Sequence, residues 1–260
     1  MLTVSSTALP RLLALMLAAA AAWLCAPAAA HAIVNGTTAT TFADRSTVFV
    51  ETMTSPSRGC SGTLVAPDLV LTSGHCIRGK DEEPIPRLHD HFRPEPEGEA
   101  DWQRPDRFYD VPNEVTVYVG LDRTEPELPP IDAPSYALPG RADMVLLRLA
   151  EHVPASVATP VPILTRPPGR GVDPATWFGR LEMQVAGFGD TDDDDAFANS
   201  ERLMLGRVDS GVLPCPGDHA HKACVASADD SGVRQGDSGG PLYWSDEYGV
   251  RWVVGVFQTA

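Results

Sequence analysis

Beyond its first 32 residues the chain has no apolar run long enough to cross a bilayer, no internal repeat, no Cys-x-x-Cys pair and no sustained helical periodicity. A membrane helix needs roughly 20 consecutive apolar residues, so none is expected after the leader. Paired-cysteine metal sites are disfavoured by the missing Cys-x-x-Cys and by the wide separation of the cysteines along the chain. Basic side chains are scarce as well. Twenty Lys and Arg stand against 35 Asp and Glu, a formal charge of −15 that becomes one unit more negative once Arg11 leaves with the leader. Such a surface repels nucleic acid and anionic membranes, and solubility outside the cell accounts for it without any steering role.

What is present begins with an export signal. Arg11 precedes an apolar run from Leu12 to Leu24, only about 13 residues long, and a small-residue stretch ends in Ala30-His31-Ala32. Residues 1–32 are therefore read as a signal peptide, cleaved after Ala32, which sends the chain to the extracellular space, or to the periplasm in a Gram-negative bacterium. A lipid anchor on Cys25 is disfavoured because Trp23 and Leu24 are bulky where such a site wants small residues. Four cysteines remain, Cys60, Cys76, Cys215 and Cys224, and an even number in an exported chain favours two disulfides.

The rest of the chain is written in short β-branched runs separated by Gly and Pro: Thr47 to Thr52, Gly62 to Thr72, Val115 to Gly120, Met144 to Leu149, Met183 to Gly187 and Val250 to Phe257. This pattern predicts an all-β, antiparallel sandwich or barrel. Two stretches read as surface loops. Gly79 to Pro112 is crowded with Pro and charge, and its His89-Asp90-His91 is read as solvated rather than as a metal site. Asp190 to Asp195 holds five Asp in six residues, a density that favours an extended solvated loop over a calcium site.

Three segments carry chemistry. Gly236-Asp237-Ser238-Gly239-Gly240-Pro241 is a small-residue turn around one serine. A hydroxyl is a weak nucleophile until a base takes its proton, and an oxyanion needs backbone N–H donors that a tight Gly-containing turn can aim. Upstream, Cys60-Ser61-Gly62-Thr63-Leu64-Val65 leads through an apolar stretch into Leu71-Thr72-Ser73-Gly74-His75-Cys76. Between them lies Arg141-Ala142-Asp143-Met144-Val145-Leu146-Leu147-Arg148-Leu149, an acid at the head of an apolar strand. Burying a carboxylate is costly unless it is paired or hydrogen-bonded, and an imidazole would supply the partner.

Taken together these segments resemble the chymotrypsin/trypsin-like serine protease family, and His75, Asp143 and Ser238 occur in that family's chain order. Ile33-Val34-Asn35-Gly36 resembles its mature amino terminus and Val185-Ala186-Gly187-Phe188-Gly189 its Gly-aromatic-Gly turn. The resemblance implies two antiparallel six-stranded β-barrels, residues 33–150 and 151–260, with the site between them. It implies a catalytic triad of His75, Asp143 and Ser238, an oxyanion hole from the N–H groups of Gly236 and Ser238, and an ammonium on Ile33 paired with Asp237. It further implies disulfides Cys60–Cys76 and Cys215–Cys224, polypeptide substrates, protein protease inhibitors as partners, and no metal or organic cofactor. Silent homologues that only bind usually lose a triad member, whereas all three stand here.

Two departures from the family stand out. The base of the specificity pocket normally lies six residues before the nucleophile, at Gly232, while an Asp230-Ser231 pair of trypsin-like character sits two residues further upstream, and Arg234 stands where a cysteine is usual. Asp230 in the pocket would favour Arg or Lys, Gly232 apolar or small side chains, and the sequence leaves both open. The strand through Gln258 resembles the family's pocket edge, but the chain stops at Ala260, so the resemblance implies a second barrel lacking a further strand and terminal helix.

Overall fold

The computed structural model describes residues 33, 36–53, 58–77, 108–111, 114–138, 143–165, 177, 181–190, 200–213, 224–227 and 232–258. Among these, fourteen strands form two antiparallel sheets. The first sheet contains β2 (Thr47–Thr52), β3 (Arg58–Ala66), β4 (Leu69–Ser73), β5 (Tyr109–Asp110), β6 (Val115–Val119), β7 (Ile131–Asp132), β8 (Ser135–Ala137) and β9 (Met144–Arg148), in the order β5-β8-β9-β4-β3-β2-β6-β7. The second contains β1 (Thr37–Thr38), β10 (Met183–Gly187), β11 (Met204–Leu213), β12 (Cys224–Ser227), β13 (Pro241–Ser245) and β14 (Arg251–Val256), in the order β1-β11-β10-β13-β14 with β12 beside β11. No helix among the described residues is long and apolar enough to cross a membrane.

Alternation along the strands sorts the core into layers. On β2, Val48 and Val50 point into the first sheet's core with Val117, Val145 and Leu147. Phe49, between them, points the other way and joins Leu71, Phe188, Tyr243 and Val253 in a layer shared by both sheets. A third cluster, Ile33, Leu181, Met183, Val185, Met204 and Val208, belongs to the second sheet. The shared layer also carries polar ties. The Tyr243 hydroxyl of β13 lies 2.9 Å from Ser46 Oγ and 3.0 Å from Thr47 Oγ1, and Arg251 of β14 reaches buried Asp44 at 2.9 Å.

The strand readings differ from the structure in several places, three of them informative. The run Gly62 to Thr72 is two strands, because Pro67 has a fixed φ and no N–H for a ladder and turns the chain between β3 and β4. The loop assigned to Gly79 to Pro112 includes β5, where Tyr109 pairs with Tyr136 of β8, their rings 5.7 Å apart. Strand β11, the longest, escapes a search for β-branched runs because Gly206, Arg207, Asp209 and Ser210 interrupt it. Residues 78–107, with His89 and His91, lie outside the described residues.

Cys60 of β3 is bonded to Cys76 in the 3₁₀ turn Gly74–Ile77, the pairing the resemblance implied. Cys215 lies outside the described residues, and with it the second disulfide. Closing a loop over a separation of 16 residues constrains the unfolded chain by about 3 kcal/mol. The double variant Cys60→Ala/Cys76→Ala is therefore expected to lose roughly that much stability, read as a lower urea midpoint, with a steeper denaturant slope as the unfolded chain becomes less compact.

Candidate active site

The site begins with a strand register. β4 and β9 pair so that Ser73 lies opposite Met144, which sets the residues just past the end of β4 beside the residue just before β9. Gly74 N–H donates to the Asp143 carbonyl at 3.2 Å. His75 N–H donates to Asp143 Oδ1 at 2.9 Å, and His75 Nδ1 lies 2.7 Å from Asp143 Oδ2. Asp143 thus holds its histidine by backbone and ring together. The turn that carries His75 is anchored from below by wholly buried Ile77, by the disulfide, and by the Thr52 hydroxyl, which donates to the Cys76 carbonyl at 2.6 Å.

Ser238 arrives from the other sheet. It is buried, with 3% of its surface exposed, in the turn that precedes β13. Its carbonyl accepts the Ser61 N–H at 2.9 Å and lies 3.7 Å from Cys76 Sγ, so the structure sets Ser238 beside the residue that follows His75. The turn is tight. Gly236 and Gly239 adopt φ of +91° and +84°, conformations that favour glycine, and a side chain on Gly239 would run into Thr72 and Ser61. Gly240 N–H returns to the Asp237 carbonyl at 2.9 Å, and Gly239 N–H to the Phe257 carbonyl at 2.8 Å.

Asp237 is the most deeply buried acid of the site, 1% exposed. Its oxygens accept the N–H groups of Gly189 and Arg234, each at 2.8 Å, and a Cβ on Gly187 or Gly189 would collide with its carboxylate. The Gly-aromatic-Gly turn therefore wraps the carboxylate, with Phe188 filling the shared core. Burial raises this group to about 7, against the pull of the two N–H donors and helped by the charge of Asp190. Asp190 corrects one sequence expectation. It is buried, not solvated, with its N–H tied to the Gln235 carbonyl at 2.6 Å, and the remainder of that acidic run lies outside the described residues. Ile33 is also wholly buried, within the second sheet's core.

Of the pocket candidates, Asp230 lies outside the described residues. A Cβ on Gly232 would meet nothing within 4 Å. Gln258 turns its amide onto the Asp143 carbonyl at 3.0 Å, a contact that sequence reasoning missed because nothing in the order of residues links two positions more than a hundred apart. Cys60, His75 and Cys76 bring potential ligand atoms together, but the two sulfurs are bonded to each other and are not thiolate ligands.

A protein-family model described as Trypsin matches residues 33–259. Comparison with curated proteins yields no match.

The buried Asp237 makes stability pH-dependent in the uncut chain, where the Ile33 nitrogen is an amide. The folded state holds its proton up to about pH 7, whereas the unfolded carboxyl releases it near 3.8. This contribution is thus fully present below that lower value and is lost as the pH rises through about 7. Urea unfolding across this range is expected to show the decline, and Asp237→Asn to flatten it.

Proposed function

The chain belongs to the trypsin family, whose activity is that of a serine protease on polypeptide substrates, and from that premise we propose that it is a secreted serine endopeptidase working through His75, Asp143 and Ser238. The observation that carries the reading is the pairing of His75 Nδ1 with Asp143 Oδ2 at 2.7 Å beside a buried serine in a glycine turn. Because Nδ1 is committed to the carboxylate, it carries the proton and donates, and Nε2 is left as the basic nitrogen. Ser238 Oγ attacks the scissile carbonyl as Nε2 takes its proton. The tetrahedral intermediate collapses to an acyl-enzyme when Nε2 returns that proton to the leaving amine, and water then repeats the sequence. Asp143 orients the ring and stabilises the imidazolium. These roles are the established ones of the family's triad rather than consequences of the distances alone.

The developing oxyanion is assigned to the N–H groups of Gly236 and Ser238. The fold reading that goes with this function is two antiparallel barrels, one built on each sheet, with the signal peptide removed on export. Asp230, Gly232 and Gln258 remain the candidates for primary specificity. The expected partners are polypeptide substrates and protein protease inhibitors, with no role for nucleic acid, membrane, metal or organic cofactor.

The purified protein is expected to react with a fluorophosphonate probe at Ser238. Ser238→Ala and His75→Ala should each lower kcat by about six orders of magnitude while leaving cooperative unfolding intact. Folded, disulfide-bonded protein that fails to label would favour a binding module instead, and retained activity in either variant would remove the triad assignment.

The wrapped carboxylate of Asp237 is where the ammonium of Ile33 would be received once the leader is cut after Ala32. Losing one partner of such a buried pair costs about 3 to 5 kcal/mol, so activity should require a free Ile33. Amino-terminal sequencing of active secreted protein is expected to start there. Full activity in protein that begins at His31 or earlier would contradict direct activation by signal cleavage.

A further inference from the structure

Ser61 lies on β3, in the first sheet, and has no exposed surface. All of its polar atoms are used. Its hydroxyl donates to the Gly236 carbonyl at 3.0 Å and accepts the Phe188 N–H at 2.9 Å. Its own N–H donates to the Ser238 carbonyl at 2.9 Å, and its carbonyl accepts the hydroxyl of buried Thr72 at 2.7 Å. One residue of the first sheet therefore grips the second sheet's nucleophile turn on both sides of Asp237.

The geometry of that grip bears on the oxyanion donors. The peptide joining Gly236 to Asp237 is held at its carbonyl by the Ser61 hydroxyl and at its N–H by the Arg234 carbonyl, 3.1 Å away. The peptide joining Ser238 to Gly239 is held at its carbonyl by the Ser61 N–H and at its N–H by the Phe257 carbonyl. Between them lies the peptide that carries the Ser238 N–H. Gly236 has no Cβ to restrict it, and at a φ of +91° it has alternative orientations open to it that a side chain would forbid. A hydrogen bond from outside the turn is what selects one of them. The backbone N–H of Ser61 is available from any residue at this position, but the hydroxyl is not.

We propose that Ser61 is a positioning residue whose hydroxyl, by holding the Gly236 carbonyl, sets the direction of the oxyanion-binding N–H groups. The inference rests on the peptidase reading and on the assignment of Gly236 and Ser238 as donors. It acts on the transition state more than on substrate binding, because donors that are misaimed lose most where charge develops.

The test compares the full chain with Ser61→Ala for ester hydrolysis and for inhibition by phenylboronic acid, which forms a tetrahedral adduct on an active serine. Ser61→Ala is expected to lower kcat by about 10- to 100-fold, to weaken boronate binding by a similar factor, and to leave KM within about twofold. A kcat and boronate affinity equal to those of the parent, or a loss confined to KM, would overturn the assignment. If Ser61→Ala does not unfold cooperatively, Ser61→Gly is measured instead. It removes the same hydroxyl while keeping the backbone N–H and carbonyl contacts, and it is expected to lower kcat and boronate affinity together by about 10- to 100-fold, with no change overturning the proposal. A parent chain that neither labels with fluorophosphonate nor hydrolyses ester would overturn the peptidase reading and this inference with it. An active, labelled parent beside an equally active Ser61→Ala would overturn the Ser61 assignment alone.

Discussion

Phe49 of the first sheet lies edge-on to Phe188 of the second, ring centroids 5.8 Å apart, with Leu71, Tyr243 and Val253 packed in the same layer. Every cross-sheet contact of the candidate site depends on this apolar layer. His75 and Asp143 are set side by side by the pairing of β4 with β9, both in the first sheet, whereas Ser238 precedes a strand of the second. A hydrogen bond fixes distances only when the backbones that carry it are already fixed. Close packing of large side chains supplies that rigidity, since a core at crystal-like density does not deform continuously.

Against this apolar background the buried and half-buried acids are handled in different ways. Asp143 is turned toward an imidazole and a backbone N–H. Asp44 takes Arg251 and the Thr41 hydroxyl. Asp237 receives only backbone N–H groups among its described partners, with a second acid nearby, and burial pushes it up accordingly. A buried carboxylate in that state favours whatever brings it a cation. The same turn that carries the proposed nucleophile thus also carries this acid, and Ser61 holds the turn from the opposite sheet.

The all-β class and the position of several strands were legible from short β-branched runs separated by Gly and Pro. Thr47–Thr52 and Met183–Gly187 form strands with the bounds read from them, because a short run rich in β-branched residues marks a strand buried on both faces. β11 was not legible, since its Gly and charged positions are compatible with a strand only once β10 and β12 pair with it on either side. Asp190 was misread for a related reason. A run of acids argues for solvent, yet its first member is buried and hydrogen-bonded to Gln235, a residue far along the chain.

By itself, the sequence determined which side chains make up the candidate site, because each comes with its own local frame: a serine among glycines, a histidine beside a cysteine, an aspartate heading an apolar strand. Local frames are contiguous and can be read in order. Only the tertiary structure decided what holds those frames in register. The Ser61 hydroxyl on the Gly236 carbonyl, the Gln258 amide on the Asp143 carbonyl and the wrapping of Asp237 by Gly187 and Gly189 each join residues from 48 to 175 positions apart. Such contacts leave no periodic trace, since their free energy depends on two distant segments being buried together and not on the order of residues within either.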